Sequence, residues 1–193
     1  MKNPTIGILL TITCLLIATA TATAAAANET AWLQTFCRGN KFTTKLHFYV
    51  HDIRAGPNAT LFTVANASIT AASPTGFGRV NVFDDRITVS PDIASEEVGR
   101  AQGTTASVDL AVTAFSMNLN FFLTSGKFNG STVTVVGRNQ FADAQRELSV
   151  AGGAGAFREA RGYAITSSYS FEAATNYSVI EYTVYVKTSR KCS

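Results

Sequence analysis

The amino-acid sequence predicts an all-β domain. After residue 40, nearly every apolar segment is short and alternates with a period of two, and Val, Ile, Thr, Phe and Tyr dominate these segments. Gly, Pro, Asn or Asp separate them, and no segment offers a convincing amphipathic helix. In a chain of 193 residues this series favours either a closed antiparallel barrel, whose mouth can admit a small ligand, or a sandwich.

The candidate strands follow one another along most of the chain, and the longer ones should contain bends. They are residues 44–53, 60–70, 78–83, 86–89, 105–124, 130–138, 145–151, 160–171 and 178–188. A chain of roughly 150 residues already buries about two-thirds of its unfolded surface. We therefore expect residues 28–193 to form one domain.

The first 27 residues are predicted to be a secretory signal peptide. Lys2 precedes an apolar run, and small residues follow it. The uninterrupted apolar run from Cys14 to Ala18 is too short to span a bilayer, so no membrane anchor is expected. Cleavage is expected between Ala20 and Ala27.

The charge balance indicates no polyanionic partner. Of 16 basic residues only Lys2 precedes residue 28, which leaves 15 against 13 acidic residues. The only adjacent basic pair is Arg190 and Lys191. Neither nucleic acid nor an anionic membrane surface is therefore expected as a partner.

The cysteines and glycosylation sequons are typical of a secreted protein. Cys37 and Cys192 are expected to pair in an oxidising compartment and to tie the chain ends together. Asn-X-Ser/Thr sequons predict glycosylation. They lie at Asn28, Asn58, Asn66, Asn129 and Asn176, and those at Asn58 and Asn129 are in turn-rich segments.

An acidic residue continues the apolar face of the first candidate strand. By parity, Asp52 shares a face with Phe48 and Val50. A carboxylate that faces a protein interior must be paired, hydrogen-bonded or protonated, so Asp52 is a candidate site residue. The equally weighted alternative is that Asp52 ends the strand and caps the turn at 54–57 through backbone N–H groups.

Two further polar residues extend apolar strand faces in the same way. Arg146 begins the apolar face of one strand, and Asn139 ends the apolar face of the strand before it. With Asp52 they would form a cluster of acid, amide and guanidinium at a barrel mouth, where the cation would hold the carboxylate ionised. A structural ion pair at the barrel end is the alternative.

Other chemical motifs carry little signal. His47 and His51 are interpreted as a surface pair, and with no third ligand indicated we expect no metal site. The glycines in 152–155 precede a strand rather than a helix, so they predict a tight turn or bulge and not a phosphate loop. Asp84 and Asp85 are interpreted as a strand-end or turn pair.

Six segments, in order along the chain, resemble the dirigent proteins of plants. They are LHFYVHDIRAGPNAT (46–60), FGRVNVFDDRIT (77–88), VGRAQG (98–103), FNGSTVTVVGRN (128–139), RELSVAGGAGAFREARGYA (146–164) and EYTVYV (181–186). Any one segment would be weak alone, but six in order are a specific signature.

The resemblance implies a single eight-stranded antiparallel β-barrel with a central cavity, usually trimeric, secreted to the apoplast and often glycosylated. It implies no cofactor. Lignan-forming members have no oxidative activity of their own. A laccase or peroxidase makes phenoxy radicals from a monolignol such as coniferyl alcohol, and the dirigent protein binds these radicals so that they couple with one stereochemistry. Other members act on quinone methides, for example to close the pterocarpan ring.

The resemblance also assigns roles to residues. The acid of its HD motif is Asp52 and the arginine of its RELSV segment is Arg146, which makes these the candidate catalytic residues. Where lignan-forming members carry a second acid this chain has Asn139, and an amide cannot deliver a proton. Thr105 replaces the family's frequent tyrosine. Asn139, Thr105 and Phe48 are the candidate substrate-binding residues.

Three functions fit these features. The leading one is a stereo-directing auxiliary in phenylpropanoid or lignan-type metabolism that depends on a separate oxidase and is itself not an oxidase. The second is a lyase-like quinone-methide cyclase, and the third is a cell-wall module that binds phenols or glycans without catalysis. Because the second acid is missing, a substrate other than the precursor of pinoresinol is at least equally favoured.

Overall fold

A computed structural model describes residues 32–38 and 41–191, and these residues form one antiparallel sheet. Its strands are β1 (Leu33–Arg38), β2 (Lys41–Ile53), β3 (Leu61–Ala65), β4 (Val80–Thr88), β5 (Glu97–Ser107), β6 (Ala114–Leu123), β7 (Thr132–Gln140), β8 (Arg146–Ala154), β9 (Arg161–Glu172) and β10 (Tyr177–Lys191). Short 3-10 turns lie at Thr70–Ala72, Gly126–Phe128 and Gly155–Phe157.

Eight of these strands close into a barrel. The strands pair in the order β2-β10-β9-β8-β7-β6-β5-β4, and β4 returns to β2 where residues 49–51 pair with residues 86–88. Strands β1 and β3 lie outside the closed ring and pair with β2 and β4. The eight-stranded barrel is therefore confirmed, and the sandwich alternative is wrong.

The strands differ from the sequence prediction where polar or glycine residues interrupt the apolar alternation. The segment 105–124 is two strands, and β5 begins earlier than expected, at Glu97. A Cβ at Gly103 would come within 2.1 Å of the Asn118 backbone oxygen on β6, so this close approach of two strands requires glycine. Strand β4 runs unbroken through Asp84 and Asp85, and β1 was not predicted.

Apolar side chains fill one part of the barrel. Phe48 and Phe121 are fully buried and meet edge to face, with ring centroids 4.8 Å apart. Tyr182 packs on both rings, stacked on Phe48 at 6.0 Å and edge-on to Phe121 at 5.1 Å. Burial of one such side chain stabilises the fold by about 1.5–3 kcal/mol. Beyond this cluster the strand ends carry polar residues, and there the barrel opens.

Several predicted features lie at the surface or outside the described residues. The signal segment 1–27, Asn28 and Cys192 lie outside them, whereas Cys37 is disulfide-bonded. The remaining sequon residues are all exposed: Asn58, Asn66, Asn129 and Asn176. Within 32–38 and 41–191, no helix has the length and apolarity to cross a membrane.

Candidate functional site

A cavity of about 920 Å³ opens at one end of the barrel. Antiparallel pairing brings the final residues of β2, β5 and β7 beside the first residues of β4, β6, β8 and β10, so side chains from all of these strands meet there. The volume falls within the range of about 300–1,000 Å³ that is typical of small-molecule sites. Four predicted site residues line the wall: Asp52, Thr105, Asn139 and Arg146.

Asp52 lies on this wall with its side chain only 6% exposed. Its Oδ2 accepts a hydrogen bond from Arg54 Nε at 2.8 Å and forms an ion pair with Arg54 Nη2, which lies 2.7 Å away. Within the described part of the chain, Oδ1 is buried with no hydrogen-bond partner. The turn-cap alternative is not observed, since the donors to this carboxylate are side-chain atoms of Arg54. The cation beside Asp52 is thus Arg54 rather than Arg146.

A second acid meets Asp52 in a narrow recess of about 50 Å³ below the cavity. Asp85 is 4% exposed, and its Oδ1 accepts a hydrogen bond from Thr60 Oγ1 at 2.5 Å. Burial, together with the nearby charge of Asp52, raises the pKa of Asp85 to about 7. The recess therefore combines an ion-paired carboxylate with a carboxyl group that holds its proton up to near-neutral pH, a combination suited to acid and base catalysis.

Sequence reasoning missed Asp85 because the two adjacent acids were assigned to a strand end or turn. In the structure they lie within β4 on opposite faces of the barrel wall. Asp84 points outward, and its Oδ1 accepts a hydrogen bond from Arg100 Nε at 2.9 Å. Asp85 shares its face with Ile87, which is fully buried. The parity rule that identified Asp52 would have identified Asp85 had the strand been predicted as continuous.

Arg146 and Asn139 contact each other on another side of the cavity. Arg146 is 5% exposed, and its Nε donates to Asn139 Oδ1 at 3.1 Å. Its Nη1 donates to the Asp143 backbone oxygen and to Ser168 Oγ, both at 3.2 Å. The Arg146 guanidinium lies 6.0 Å from the centre of the Phe141 ring. Burial lowers the pKa of the Arg146 guanidinium, although arginine stays charged in proteins.

The other two predicted binding residues have different positions. Thr105 lines both the cavity and the recess, and its Oγ1 accepts a hydrogen bond from Asn81 Nδ2 at 3.1 Å. Phe48 is fully buried in the apolar cluster and is absent from the residues that line the cavity or the recess. Phe48 supports the floor of the site from below.

Aromatic side chains surround the mouth. Phe62 and Phe141 are 58% and 38% exposed and line the cavity with Phe115. The rings of Phe115 and Phe141 meet edge to face at 6.5 Å. Exposed rings around a polar cavity provide a surface on which an aromatic ligand can stack.

The interpretation of His47 and His51 as a surface pair is wrong for His51. His51 is fully buried: its Nε2 lies 2.6 Å from Thr88 Oγ1, and its Nδ1 lies 2.5 Å from the Tyr177 hydroxyl. The Tyr177 ring stacks on the imidazole. Strand parity places His51 on the outer face of the barrel. The side chains of Thr88 and Tyr177, which are distant in the sequence, bury it there, and strand parity cannot predict such contacts.

Comparison with known proteins agrees with this architecture. A family-wide sequence profile of dirigent-like proteins matches residues 43–187. Dirigent protein 21 of Arabidopsis thaliana is 48% identical over 143 residues, which cover 74% of this chain and 76% of that protein. Pterocarpan synthase 1 of Glycine max is 39% identical over 144 residues, covering 74% of this chain and 77% of that protein.

A solved structure is also similar. The pterocarpan synthase dirigent protein GePTS1 superimposes with a TM-score of 0.69 at 35% sequence identity. The alignment covers 79% of this chain and 91% of that one.

Proposed function

Because the chain belongs to the dirigent-like protein family, we propose that it binds phenoxy radicals or quinone methides and imparts regio- and stereoselectivity on their coupling or closure. A separate laccase or peroxidase supplies the reactive species. The observation that carries this proposal is a cavity of about 920 Å³ that narrows to a recess shared by Asp52 and Asp85.

The cavity supports selectivity through orientation. Free phenoxy radicals couple at several ring positions, so a site that fixes two rings relative to each other selects one product by proximity alone. The rings at the mouth, Phe62, Phe115 and Phe141, can hold aromatic ligands. Asn139 and Thr105 offer polar groups on the cavity wall for the hydroxyls of such ligands.

The recess supports the closure of a quinone methide. In this step a hydroxyl oxygen of the ligand adds to the methide carbon and forms a C–O bond, while the quinone carbonyl becomes a phenol. The Asp85 carboxyl gives its proton to the carbonyl oxygen, and the Asp52 carboxylate takes the proton of the attacking hydroxyl. The reaction is an isomerisation, and transfer of one proton from Asp52 to Asp85 restores the starting state. Arg146 donates hydrogen bonds to a ligand oxygen on the cavity wall.

A quinone-methide cyclase that acts without an oxidase is the second candidate function. It is favoured by the buried acid pair and by the similarity to pterocarpan synthases. In this function the protein is an enzyme, whereas as a radical-directing auxiliary it has no oxidative activity of its own.

The cellular setting belongs to the same proposal. We propose secretion to the apoplast, glycosylation at exposed sequons and assembly into a homo-oligomer. Four of the sequon asparagines, Asn58, Asn66, Asn129 and Asn176, are accessible to a glycosyltransferase.

Analysis of product chirality tests the function. Coniferyl alcohol and related phenols are oxidised by a laccase with and without the purified protein, and the products are separated on a chiral column. An excess of one enantiomer is expected for at least one phenol. Racemic products throughout would exclude the radical-directing function, and turnover of isoflavanol-type quinone-methide precursors by the protein alone would establish the cyclase. Absence of both, with phenol binding retained after Asp52→Asn, would leave a binding module.

A further inference from the structure

Positively charged side chains outnumber negatively charged ones among the residues that line the cavity. The charged side chains are one acid, Asp52, and three arginines, Arg54, Arg79 and Arg146. Arg54 is paired with Asp52. In the described residues no carboxylate lies within 4.0 Å of the side-chain nitrogens of Arg79 or Arg146. The cavity wall therefore has an excess of positive charge.

Arg146 is the buried part of this excess. Its Nε and Nη1 donate to an amide oxygen, a backbone oxygen and a hydroxyl, which are all neutral acceptors. Its Nη2 has no acceptor among the described residues, and Arg146 is one of the residues that line the cavity. Asp143 gives Arg146 only its backbone oxygen, while its carboxylate accepts a hydrogen bond from Gln140 Nε2 at 2.9 Å in an exposed position.

A buried cation without an anionic partner is energetically unfavourable, and a guanidinium cannot escape the cost by losing its proton. Asn139 explains why no partner is supplied by the protein. Its amide oxygen contacts Arg146, and at this position an aspartate would neutralise the cation. The cavity is thus built to receive negative charge from a ligand.

We propose that the ligand of this cavity is a phenolic carboxylate, an acid of the hydroxycinnamate type rather than the corresponding neutral alcohol, and that Arg146 binds its carboxylate. A phenol with a pKa near that of tyrosine, about 10, is neutral at pH 7. A carboxylate carries a full charge there and offers two oxygens to a guanidinium fork. This inference rests on the proposed function, because it names the substrate class of the same site.

Equilibrium binding of unreacted phenols tests the inference. The probes are 4-hydroxy-3-methoxycinnamic acid, its methyl ester and the corresponding cinnamyl alcohol, titrated calorimetrically at pH 7 with no oxidase present. The acid is expected to bind about tenfold or more tightly than the ester and the alcohol. In Arg146→Gln this preference is expected to fall to within about twofold, and Asn139→Asp is expected to remove it by placing a carboxylate beside the cation.

Arg138→Gln is the matched control. Arg138 lies next to Asn139 on β7 but is exposed and pairs with Asp109, so this variant should keep the preference of the wild type. If Arg146→Gln does not fold, as judged by thermal melting, Asn139→Asp decides the question. Equal binding of acid and ester by the wild type, or a preference that survives Asn139→Asp, would overturn the inference. If the wild type binds all three probes more tightly than Arg146→Gln does, by the same factor, Arg146 recognises the phenol oxygen that the probes share. That result would also overturn the inference.

The outcome is separable from that of the proposed function. An excess of one enantiomer from coniferyl alcohol, without any preference for the acid, would refute the substrate class and leave the dirigent function intact. A clear preference for the acid, with racemic products from every phenol, would support the substrate class and refute the radical-directing function.

Discussion

At the scale of single residues, position relative to the barrel wall decides what an acid can do. Asp84 and Asp85 are neighbours in the chain, yet Asp84 is exposed and paired with Arg100 while Asp85 is buried beside Asp52. Burial raises the pKa of Asp85 to about 7, because a charged carboxylate is poorly solvated in the recess. Asp85 therefore places a carboxyl group with a raised pKa in the recess, although the residue at position 139 of the cavity wall is an amide.

Replacement of Asp85 tests this proton source. Asp85→Asn keeps an acceptor for Thr60 but cannot give a proton, so we expect the rate of quinone-methide closure to fall by about a hundredfold. The matched control is Asp84→Asn, which makes the same substitution on the outer face of the same strand and should leave the rate nearly unchanged. Single-turnover rates measure the effect, and wild-type rates in Asp85→Asn would refute the acid role.

The pH dependence of the same reaction provides a second test. Closure requires the protonated form of Asp85, so kcat/KM is expected to fall about tenfold per pH unit above pH 7. This limb of the profile should be missing in Asp85→Asn. A wild-type profile that is flat from pH 6 to pH 9 would contradict the assignment.

At the scale of secondary-structure elements, the barrel depends on a short seam. Strand β2 meets β4 only over residues 49–51 and 86–88. His51 on β2 contacts Thr88 of β4 across this seam and Tyr177 of β10 on the other side of β2. Thr88 Oγ1 donates to the Ser90 backbone oxygen, so it accepts from His51 Nε2, and Nδ1 accepts from the Tyr177 hydroxyl. Burial lowers the pKa of His51 to about 4, which keeps the imidazole neutral in this arrangement.

Removal of the histidine should weaken the seam. His51→Leu loses both hydrogen bonds in a buried setting, and we expect the free energy of unfolding to fall by about 2 kcal/mol. His47→Leu is the control: His47 shares the strand face but is half-exposed, so its replacement should cost well under about 1 kcal/mol. Urea unfolding at pH 7 measures both values, and equal losses would show that the seam has no special role.

The same elements show how far the sequence could predict this protein. Strand parity and family resemblance singled out Asp52, Asn139 and Arg146, and all three line the cavity. Parity succeeds here because the alternation of side chains along a strand is a local property of the backbone. The partner of Asp52 was predicted wrongly: the turn that follows β2 brings Arg54 back onto the carboxylate, and such a contact depends on loop conformation. The burial of His51 likewise depends on β4 and β10, which are distant in the chain.

Other features lay beyond sequence reasoning for different reasons. Strand β1 was not predicted. The first part of β5 has few apolar residues, so a strand that begins at Glu97 was not expected either. The signal peptide, the pairing of Cys37 with Cys192 and glycosylation stay predictions.

At the scale of the whole molecule, two buried titrations oppose each other. The pKa of Asp85 is raised in the fold, so between about pH 4 and pH 7 the folded state holds more protons and stability falls as pH rises. The pKa of His51 is lowered, so between about pH 4 and pH 6.5 the unfolded state holds more protons and stability rises with pH. At about 1.4 kcal/mol per pKa unit the two effects are similar in size.

The stability of the wild type should therefore change little between pH 4 and pH 6.5. In Asp85→Asn only the His51 effect remains, and the free energy of unfolding is expected to rise by up to about 3 kcal/mol over this range. Urea unfolding of both proteins at several pH values measures the difference. Parallel pH profiles for the two proteins would show that Asp85 is not protonated in the fold.

The unbroken run of β4 through both acids has a consequence for sequence change. Alternation has a period of two, so inserting or deleting one residue ahead of Asp84 would exchange the two carboxylates across the wall. Composition and net charge would hardly change, yet Asp84 would turn into the recess and Asp85 would turn out to the surface. Because both residues are aspartates, the recess would still hold an acid, whereas buried Ile87 would turn outward and Arg86 would turn inward. A one-residue change in this strand should therefore cost stability through the apolar face while leaving a carboxyl group in the recess.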